Sequence, residues 1–247
     1  MKRQRNPASE EQEVMGAARR GISLRAVISF LVIVVMLPLV LFLAAGRWDW
    51  AAAWAYVAAH WAGTFASRLL AWRVNPDLLV ERGRTVDEGM GTRQDRLLVL
   101  VAAILGPLLL WIVAGLDERF AWSPDLPPGV QEAAFGVLLA AFAFSTWAFV
   151  TNAFFSAVVR IQEDRGQRVI TSGPYRLVRH PAYAAGIVVY LATPLLLDSL
   201  WALIPAAVTA AVVVARTSLE DRFLHGFLPG YAAYARRTRH RLLPGVW

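Results

Sequence analysis

Two short runs in the last third of the chain carry residue types that could do chemistry together. Arg179-His180-Pro181-Ala182-Tyr183 stands just before a long apolar stretch, and Arg216-Thr217-Ser218-Leu219-Glu220-Asp221 stands just after it. Arg216 and Glu220 are four apart, so on a helix they share one face. An arginine fork suits a carboxylate, which it can grip through paired hydrogen bonds. A glutamate suits hydroxyls or an ammonium group, and an imidazole can donate or accept. Two polar segments precede the first run: Gln162-Glu163-Asp164-Arg165-Gly166-Gln167 and Thr171-Ser172-Gly173-Pro174-Tyr175-Arg176. Taken singly, an arginine at a span end is a topological anchor, a tyrosine there is an interfacial aromatic, and an Arg–Glu pair stabilises a helix. Their concurrence at both ends of one apolar stretch is what points to a site.

The elements that must position these residues follow from composition. The chain has 247 residues, of which 57% are hydrophobic and 17% charged, with a mean hydropathy of +0.46. A soluble domain is about 45–50% apolar and about 25% charged, so this chain is read as an all-α, polytopic membrane helix bundle. Residues 26–45 run without a charge for about the length that crosses a ~30 Å hydrocarbon core. Further spans are expected at 50–71, with Trp48, Trp50 and Trp72 at its edges as an interfacial belt, at 97–116, which contains Pro107, and at 133–159. The stretch 182–215 is too long for one span and is interrupted at Asp198-Ser199. It is expected to be a helical hairpin with its tip there, kinked by Pro194 and Pro205.

Charge tests that layout. The net charge is +7, from 25 Lys+Arg against 18 Asp+Glu. Six basic residues precede residue 26, five lie in 73–96, five in 160–179 and six from Arg216 onward; the intervening loops hold little more than Arg47 and Arg119. Basic and base-poor loops alternate as alternating spans demand, which places the basic loops, and both termini, in the cytoplasm. The excess charge thus reports orientation, and the spans argue against a nucleic-acid partner. The N-terminal tail 1–25 is read as cytoplasmic, 26–159 as four transmembrane helices, and 160–247 as the functional region. The location expected is a multi-pass protein of the bacterial inner membrane.

The sequence has no cysteine, and its four histidines (His60, His180, His225 and His240) lack metal-ligand spacing, so no metal site is expected. Gly89-Met90-Gly91 is followed by Thr-Arg-Gln and is a chance match to a glycine fingerprint. His60, on an apolar helix, is expected to be a packed histidine with one hydrogen-bonded partner.

Five segments in fixed order carry a resemblance: Ser172-Gly-Pro-Tyr-Arg, Arg179-His-Pro-Ala-Tyr, Arg216-Thr-x-x-Glu-Asp, Leu228-Pro-Gly-Tyr-x-x-Tyr and Arg241-Leu-Leu-Pro-Gly-Val-Trp247. This region, 152–247, resembles the isoprenylcysteine carboxyl methyltransferases and the related phospholipid N-methyltransferases, integral membrane enzymes that use S-adenosylmethionine. Asn75-Pro76-x-x-Leu79-x-x-Arg82 is a weaker match to the same family. The resemblance implies that the cofactor lies against Gln167, Val169, Ile170, Tyr175, His180, Pro181, Ala182, Tyr183 and Glu220. Arg216 matches the position that faces the acceptor, and Arg179 and His180 join it as expected catalytic residues. Two departures stand out: Ala185 where the family has Gly, and Asp221 in place of a second Glu.

The chemistry implied is methyl transfer from S-adenosylmethionine to a lipid-linked or otherwise apolar acceptor, with carboxyl O-methylation the leading reaction. N-methylation of a lipid amine and S-methylation of a small thiol are alternatives. A membrane reductase using a nicotinamide cofactor, or a non-catalytic relative, stands outside that class. Methyl transfer needs reactants aligned about 3–3.5 Å apart with water excluded. It needs a base, for which Glu220, Asp221 or His180 would serve, only when the acceptor must lose a proton.

Overall fold

Prolines and polar side chains, rather than the apolar residues, decide where the helices of this chain bend and stop. The computed structural model describes residues 24–87 and 92–247; most of the N-terminal tail and Gly89-Met90-Gly91 lie outside the described residues. The first apolar segment is α1 (Leu24–Leu31), a π-helical turn (Val32–Met36), a short 3-10 turn and α2 (Val40–Ala45). The wide turn falls just before Pro38, whose ring clashes with an ordinary helix at the carbonyl four residues back. That carbonyl, Val34, instead accepts from Trp61 Nε1 at 2.9 Å. The third segment repeats the device. A π-helical turn (Val101–Leu105) joins α5 (Arg93–Leu100) to α6 (Gly106–Phe120) ahead of Pro107, and the Tyr190 hydroxyl donates to the Ala102 carbonyl inside the turn. Between these segments lie α3 (Ala51–Val74) and α4 (Pro76–Asp87). Then follow α7 (Val130–Thr151), the hairpin α8 (Pro181–Leu196) and α9 (Leu203–Phe227), and α10 (Tyr231–Arg237).

Among the described residues, four helical segments are long and apolar enough to cross a membrane: Val27–Ala45, Arg93–Phe120, Val130–Thr151 and Leu203–Phe227. Helix α3, expected as the second span, has 24 residues and so reaches about 36 Å. His60, Arg68 and Arg73 make it less apolar than those four. The fourth span was expected to reach residue 159 but stops at Thr151. Asn152 ends it: its Oδ1 accepts from the Phe154 backbone N–H at 2.9 Å and its Nδ2 donates to the Tyr175 hydroxyl at 3.2 Å. Such local side-chain bonds compete with helix continuation. The hairpin forms with its tip at Asp198, which holds φ +57 and accepts from Leu126 N–H at 2.9 Å. Pro205 falls in the first turn of α9, where no helical bond is lost, so it produces no kink of the expected kind.

One end of the bundle gathers the hairpin tip and the base-poor loops. Arg47 bridges to Glu118 at 3.0 Å. Buried Asp117 accepts from the Ser123 backbone and from the hydroxyls of Ser123 and Ser199. A core of Leu41, Phe42, Trp50, Tyr56, Val57, Leu110, Trp111, Leu138 and Leu196 fills that half. Trp50 is therefore core rather than belt, while Trp48 and Trp72 are exposed. His60 is packed among Tyr56, Trp111 and Phe142, as expected, and its Nε2 has no hydrogen-bond partner among the described residues.

Small residues let the helices cross closely. A Cβ at Gly115 would lie 2.6 Å from the Leu41 carbonyl oxygen and 2.6 Å from Ala44 Cβ. One at Gly136, in the interior of α7, would meet nothing within 4 Å. We expect Gly115→Ala to lower the thermal stability of the detergent-solubilised protein by about 1–3 kcal/mol. Gly136→Ala should leave it unchanged or raise it by up to about 1 kcal/mol. Equal melting temperatures for the two variants would contradict the α2–α6 crossing.

Candidate active site

At the opposite end of the bundle, the returning limb of the hairpin carries a carboxylate that collects almost everything around it. Asp221 is 1% exposed. Arg179 Nε donates to its Oδ1 at 2.7 Å and Arg179 Nη2 to its Oδ2 at 3.0 Å. Arg241 Nε donates to Oδ2 at 2.9 Å, the Tyr231 hydroxyl donates to Oδ1 at 2.8 Å, and His180 Nε2 lies 3.3 Å from Oδ1. The remaining Arg179 nitrogen, Nη1, donates to the carbonyls of Thr238 and Arg239 at 2.8 and 2.6 Å. Backbone bonds run alongside, from Arg179 N–H to the His240 carbonyl and from His180 N–H to the Arg241 carbonyl. The start of the hairpin, its end and the C-terminal segment are thus locked by one buried ion cluster. Such clusters are costly to break because the survivor is left buried and unpaired.

The motif Leu228-Pro-Gly-Tyr-x-x-Tyr explains itself here. Gly230 takes φ +82, a conformation that favours glycine, and starts α10. Tyr231 and Tyr234, three apart, then face inward; Tyr234 donates to the Tyr175 carbonyl at 2.7 Å. Burial, reinforced by the neighbouring Asp221 carboxylate, pushes the Tyr231 phenol far above its ordinary range, so it remains a donor at any physiological pH. Burial likewise raises Tyr175.

A second carboxylate, Asp95 on α5, organises the neighbouring layer. Arg216 Nε donates to its Oδ1 at 3.0 Å and Val159 N–H to its Oδ2 at 2.8 Å. Arg216 Nη2 donates to the Ala157 carbonyl at 2.9 Å, and Nη1 donates to the Tyr183 hydroxyl. That hydroxyl in turn donates to Glu220 Oε2. Arg216 and Glu220 do share a face of α9, and Tyr183 from α8 bridges them. Farther out, Arg160 pairs with the buried Glu81 of α4.

These layers line a cavity that is open to solvent on one side. Gln167, Val169, Ile170, Tyr175, His180, Pro181, Ala182, Tyr183 and Glu220 all line it, joined by Asn152, Phe155, Arg160, Tyr231 and Tyr234. Gln167 reaches it from a loop closed by its own side chain, whose Oε1 accepts from the Gln162 N–H at 2.7 Å. Arg179 touches the cavity, but its guanidinium is spent on Asp221 and two carbonyls, and Arg216 lies behind Tyr183 rather than on the lining. Ala185 is buried and not part of the lining, so the substitution for Gly does not alter the cavity.

Asp95 and Glu81 were not singled out from sequence, and Tyr231 was named there only as part of the Leu228-Pro-Gly-Tyr-x-x-Tyr motif. Asp95 and Glu81 sit in charge-mixed segments that read as ordinary polar loop, and only the fold shows that they are buried. Asp221 was visible as a departure, but its role as the centre of a cluster spanning residues 179–241 was not.

We expect Asp221→Asn to cost about 3–5 kcal/mol of stability, read as a lowered unfolding temperature in detergent. Tyr183→Phe should cost far less, because Arg216 keeps Asp95 and Ala157. The reverse order of melting temperatures would displace Asp221 from the centre of this site.

Residues 131–228 match the model of the phospholipid methyltransferase family, a segment that begins at α7 and ends with Leu228. Over 85 residues the chain is also 39% identical to the cobalt-zinc-cadmium resistance protein CzcN of Cupriavidus metallidurans, an alignment covering 32% of this chain and 37% of that protein. The chain thus spans little more than a third of this relative's length. The stretch 131–228, which is what the chain shares with the phospholipid methyltransferase family model, holds all nine cavity-lining residues expected from the sequence together with Arg179 and Arg216.

Proposed function

We propose that the chain is an integral membrane methyltransferase that uses S-adenosylmethionine to methylate an apolar or lipid-linked acceptor, with carboxyl O-methylation the leading reaction. The observation that carries this reading is the convergence of nine residues from four separate segments on one cavity at the basic end of the bundle. The donor set fits the cofactor. Glu220 offers a carboxylate to hydroxyls or an ammonium, while Val169, Ile170, Leu224, Leu228 and Tyr175 offer an apolar wall to a base. His180 and Tyr183 lie as parallel rings, 5.7 Å between centroids. When bound, S-adenosylmethionine supplies an electrophilic methyl carbon.

The protein's own part is to bind, orient and exclude water. Tyr183, fixed by Arg216, orients Glu220, so Arg216 acts in this geometry through Tyr183 as a positioning residue. Arg179 and His180 position through Asp221 in the same way. Arg160 and Arg216 are matched by Glu81 and Asp95, so the choice of acceptor rests on proton chemistry: transfer is simplest to a reacting group that is already ionised. A carboxylate meets that condition and needs no base. The distribution of basic residues supports a cavity that faces the cytoplasm of a bacterial inner membrane, where a polar cofactor is supplied, while an apolar acceptor arrives from the bilayer.

The test is calorimetry of the detergent-purified chain with S-adenosylhomocysteine and with NADPH, followed by incubation of membrane extract with labelled S-adenosylmethionine. We expect S-adenosylhomocysteine to bind and Glu220→Ala to weaken it roughly tenfold or more, the loss of a hydrogen bond to a charged group. Arg216→Ala should chiefly lower turnover. Stabilisation by NADPH alone would overturn the reading in favour of a reductase. Label recovered as a base-labile ester would identify carboxyl methylation, and base-stable label would point to amine or thiol acceptors.

A further inference from the structure

Two arginines that share the Phe149 ring have no counterion among the described residues. Arg160, Arg179, Arg216 and Arg241 each pair with a buried carboxylate. Arg68 of α3 and Arg82 of α4, by contrast, make no ion pair among the described residues. Arg68 Nη1 donates only to Ser67 Oγ, at 3.2 Å, and Arg82 Nη1 is buried without any hydrogen-bond partner. Both guanidinium groups are laid on aromatic rings. Arg68 lies 5.0 Å from the centre of Phe149 and 5.4 Å from that of Phe30, and Arg82 lies 5.5 Å from both Phe149 and Phe155. Stacking on a ring face is compatible with apolar surroundings, but it leaves the hydrogen-bonding edge of each fork unused.

Two like charges sharing one ring, in a membrane helix and the helix that follows it, are expensive unless an anion joins them. We propose that Arg68 and Arg82 form an anion subsite that holds the carboxylate or phosphate headgroup of a membrane amphiphile beside the cavity. The planar forks suit both groups. Phe155, under Arg82, is also part of the cavity lining, so the subsite and the cavity are separated by a single ring. Burial and the nearby Arg68 lower the Arg82 pKa to about 9, which keeps it charged at neutral pH, and Arg216 and Tyr183 are close enough to contribute to its electrostatics. Phe65, Leu69 and Leu70 are exposed on the same helix as Arg68, in position to contact hydrocarbon. An anion carrying an acyl or prenyl chain therefore fits better than a free ion. That this amphiphile is the methyl acceptor rests on the methyltransferase reading; that the two arginines bind an anion does not.

Equilibrium binding to the full chain in neutral detergent tests this, with oleate and dioleoyl phosphatidic acid as anionic probes and dioleoyl phosphatidylcholine and inorganic phosphate as comparators. S-adenosylhomocysteine binding is measured on the same preparations. The wild type should prefer the two acidic lipids over phosphatidylcholine by about tenfold or more, as expected for charge-assisted bonds. Arg82→Gln and Arg68→Gln should each remove most of that preference, Arg82→Lys should keep much of it, and S-adenosylhomocysteine affinity should stay within about twofold. The subsite is refuted if the wild type retains acidic and zwitterionic lipids equally, a comparison that needs no variant. It is also refuted if folded Arg82→Gln binds the acids as tightly as wild type. Inorganic phosphate binding as well as the lipids would overturn the amphiphile. Lipid preference intact in a protein that fails to bind S-adenosylhomocysteine would support the anion subsite while overturning the methyltransferase reading.

Discussion

A membrane protein that builds a polar cavity at one end of its bundle must keep three separated chain segments in register without a water-driven core to hold them. Here the constraint is met by the Asp221 carboxylate. It sits near the end of the returning hairpin limb and binds arginines from before the hairpin and from the C-terminal segment, at 2.7–3.0 Å. Arg179 is buried and has no water to fall back on, while the Arg241 side chain stays 29% exposed at the edge of the cluster. The cavity walls inherit their positions from this cluster. His180, Pro181 and Tyr183 follow Arg179 directly in sequence, Glu220 precedes Asp221, and Tyr231 is itself a donor to it. An error in the cluster would displace the walls together.

The second layer repeats the logic with a different carboxylate and a different reach. Asp95 begins the third membrane segment, where Thr92 caps the helix by accepting from the Asp95 N–H at 3.1 Å. Its carboxylate then binds Arg216 of the hairpin and the Val159 backbone. One side chain thus connects the membrane bundle to the cavity loop and to the Arg216–Tyr183–Glu220 chain. Bonds at this depth are strong because the alternative is an unpaired charge in an apolar setting.

How much of this was legible in the sequence depended on whether the information was local. The hairpin was legible because a polar pair interrupts its apolar run and basic residues flank both ends. The shared face of Arg216 and Glu220 followed from their spacing alone. The end of α7 was not legible, and the reason is instructive. Phe154, Phe155, Val158 and Val159 continue the apolar pattern past Asn152, yet they line a cavity rather than cross a membrane. Hydropathy cannot separate these two fates; only the side-chain bonds of Asn152 do. The π-helical turns ahead of Pro38 and Pro107 were illegible for a related reason, since they depend on Trp61 and Tyr190 arriving from other helices. Asp95 and Glu81 looked like charges in polar loops because their arginine partners, 121 and 79 residues away, could be found only in three dimensions.

The charge of the chain acquires a finer meaning from these pairings. Basic residues crowd one end of the bundle. Resolved one by one, they divide by what they touch. Arg179 and Arg241 hold the chain segments around the cavity, and Arg216 and Arg160 hold its inner wall. Each of these has an acidic partner supplied by the protein, so none contributes a free positive charge to a ligand without first giving up a buried bond. Arg68 and Arg82 rest on aromatic rings, which attract a cation without neutralising it. The protein has therefore placed enough carboxylates at this end to build its architecture, and has left the two guanidinium groups nearest Phe149 and Phe155 uncompensated. A positive charge at that corner, beside a cavity whose lining includes Glu220, would orient an amphiphile with its acid group toward the two arginines.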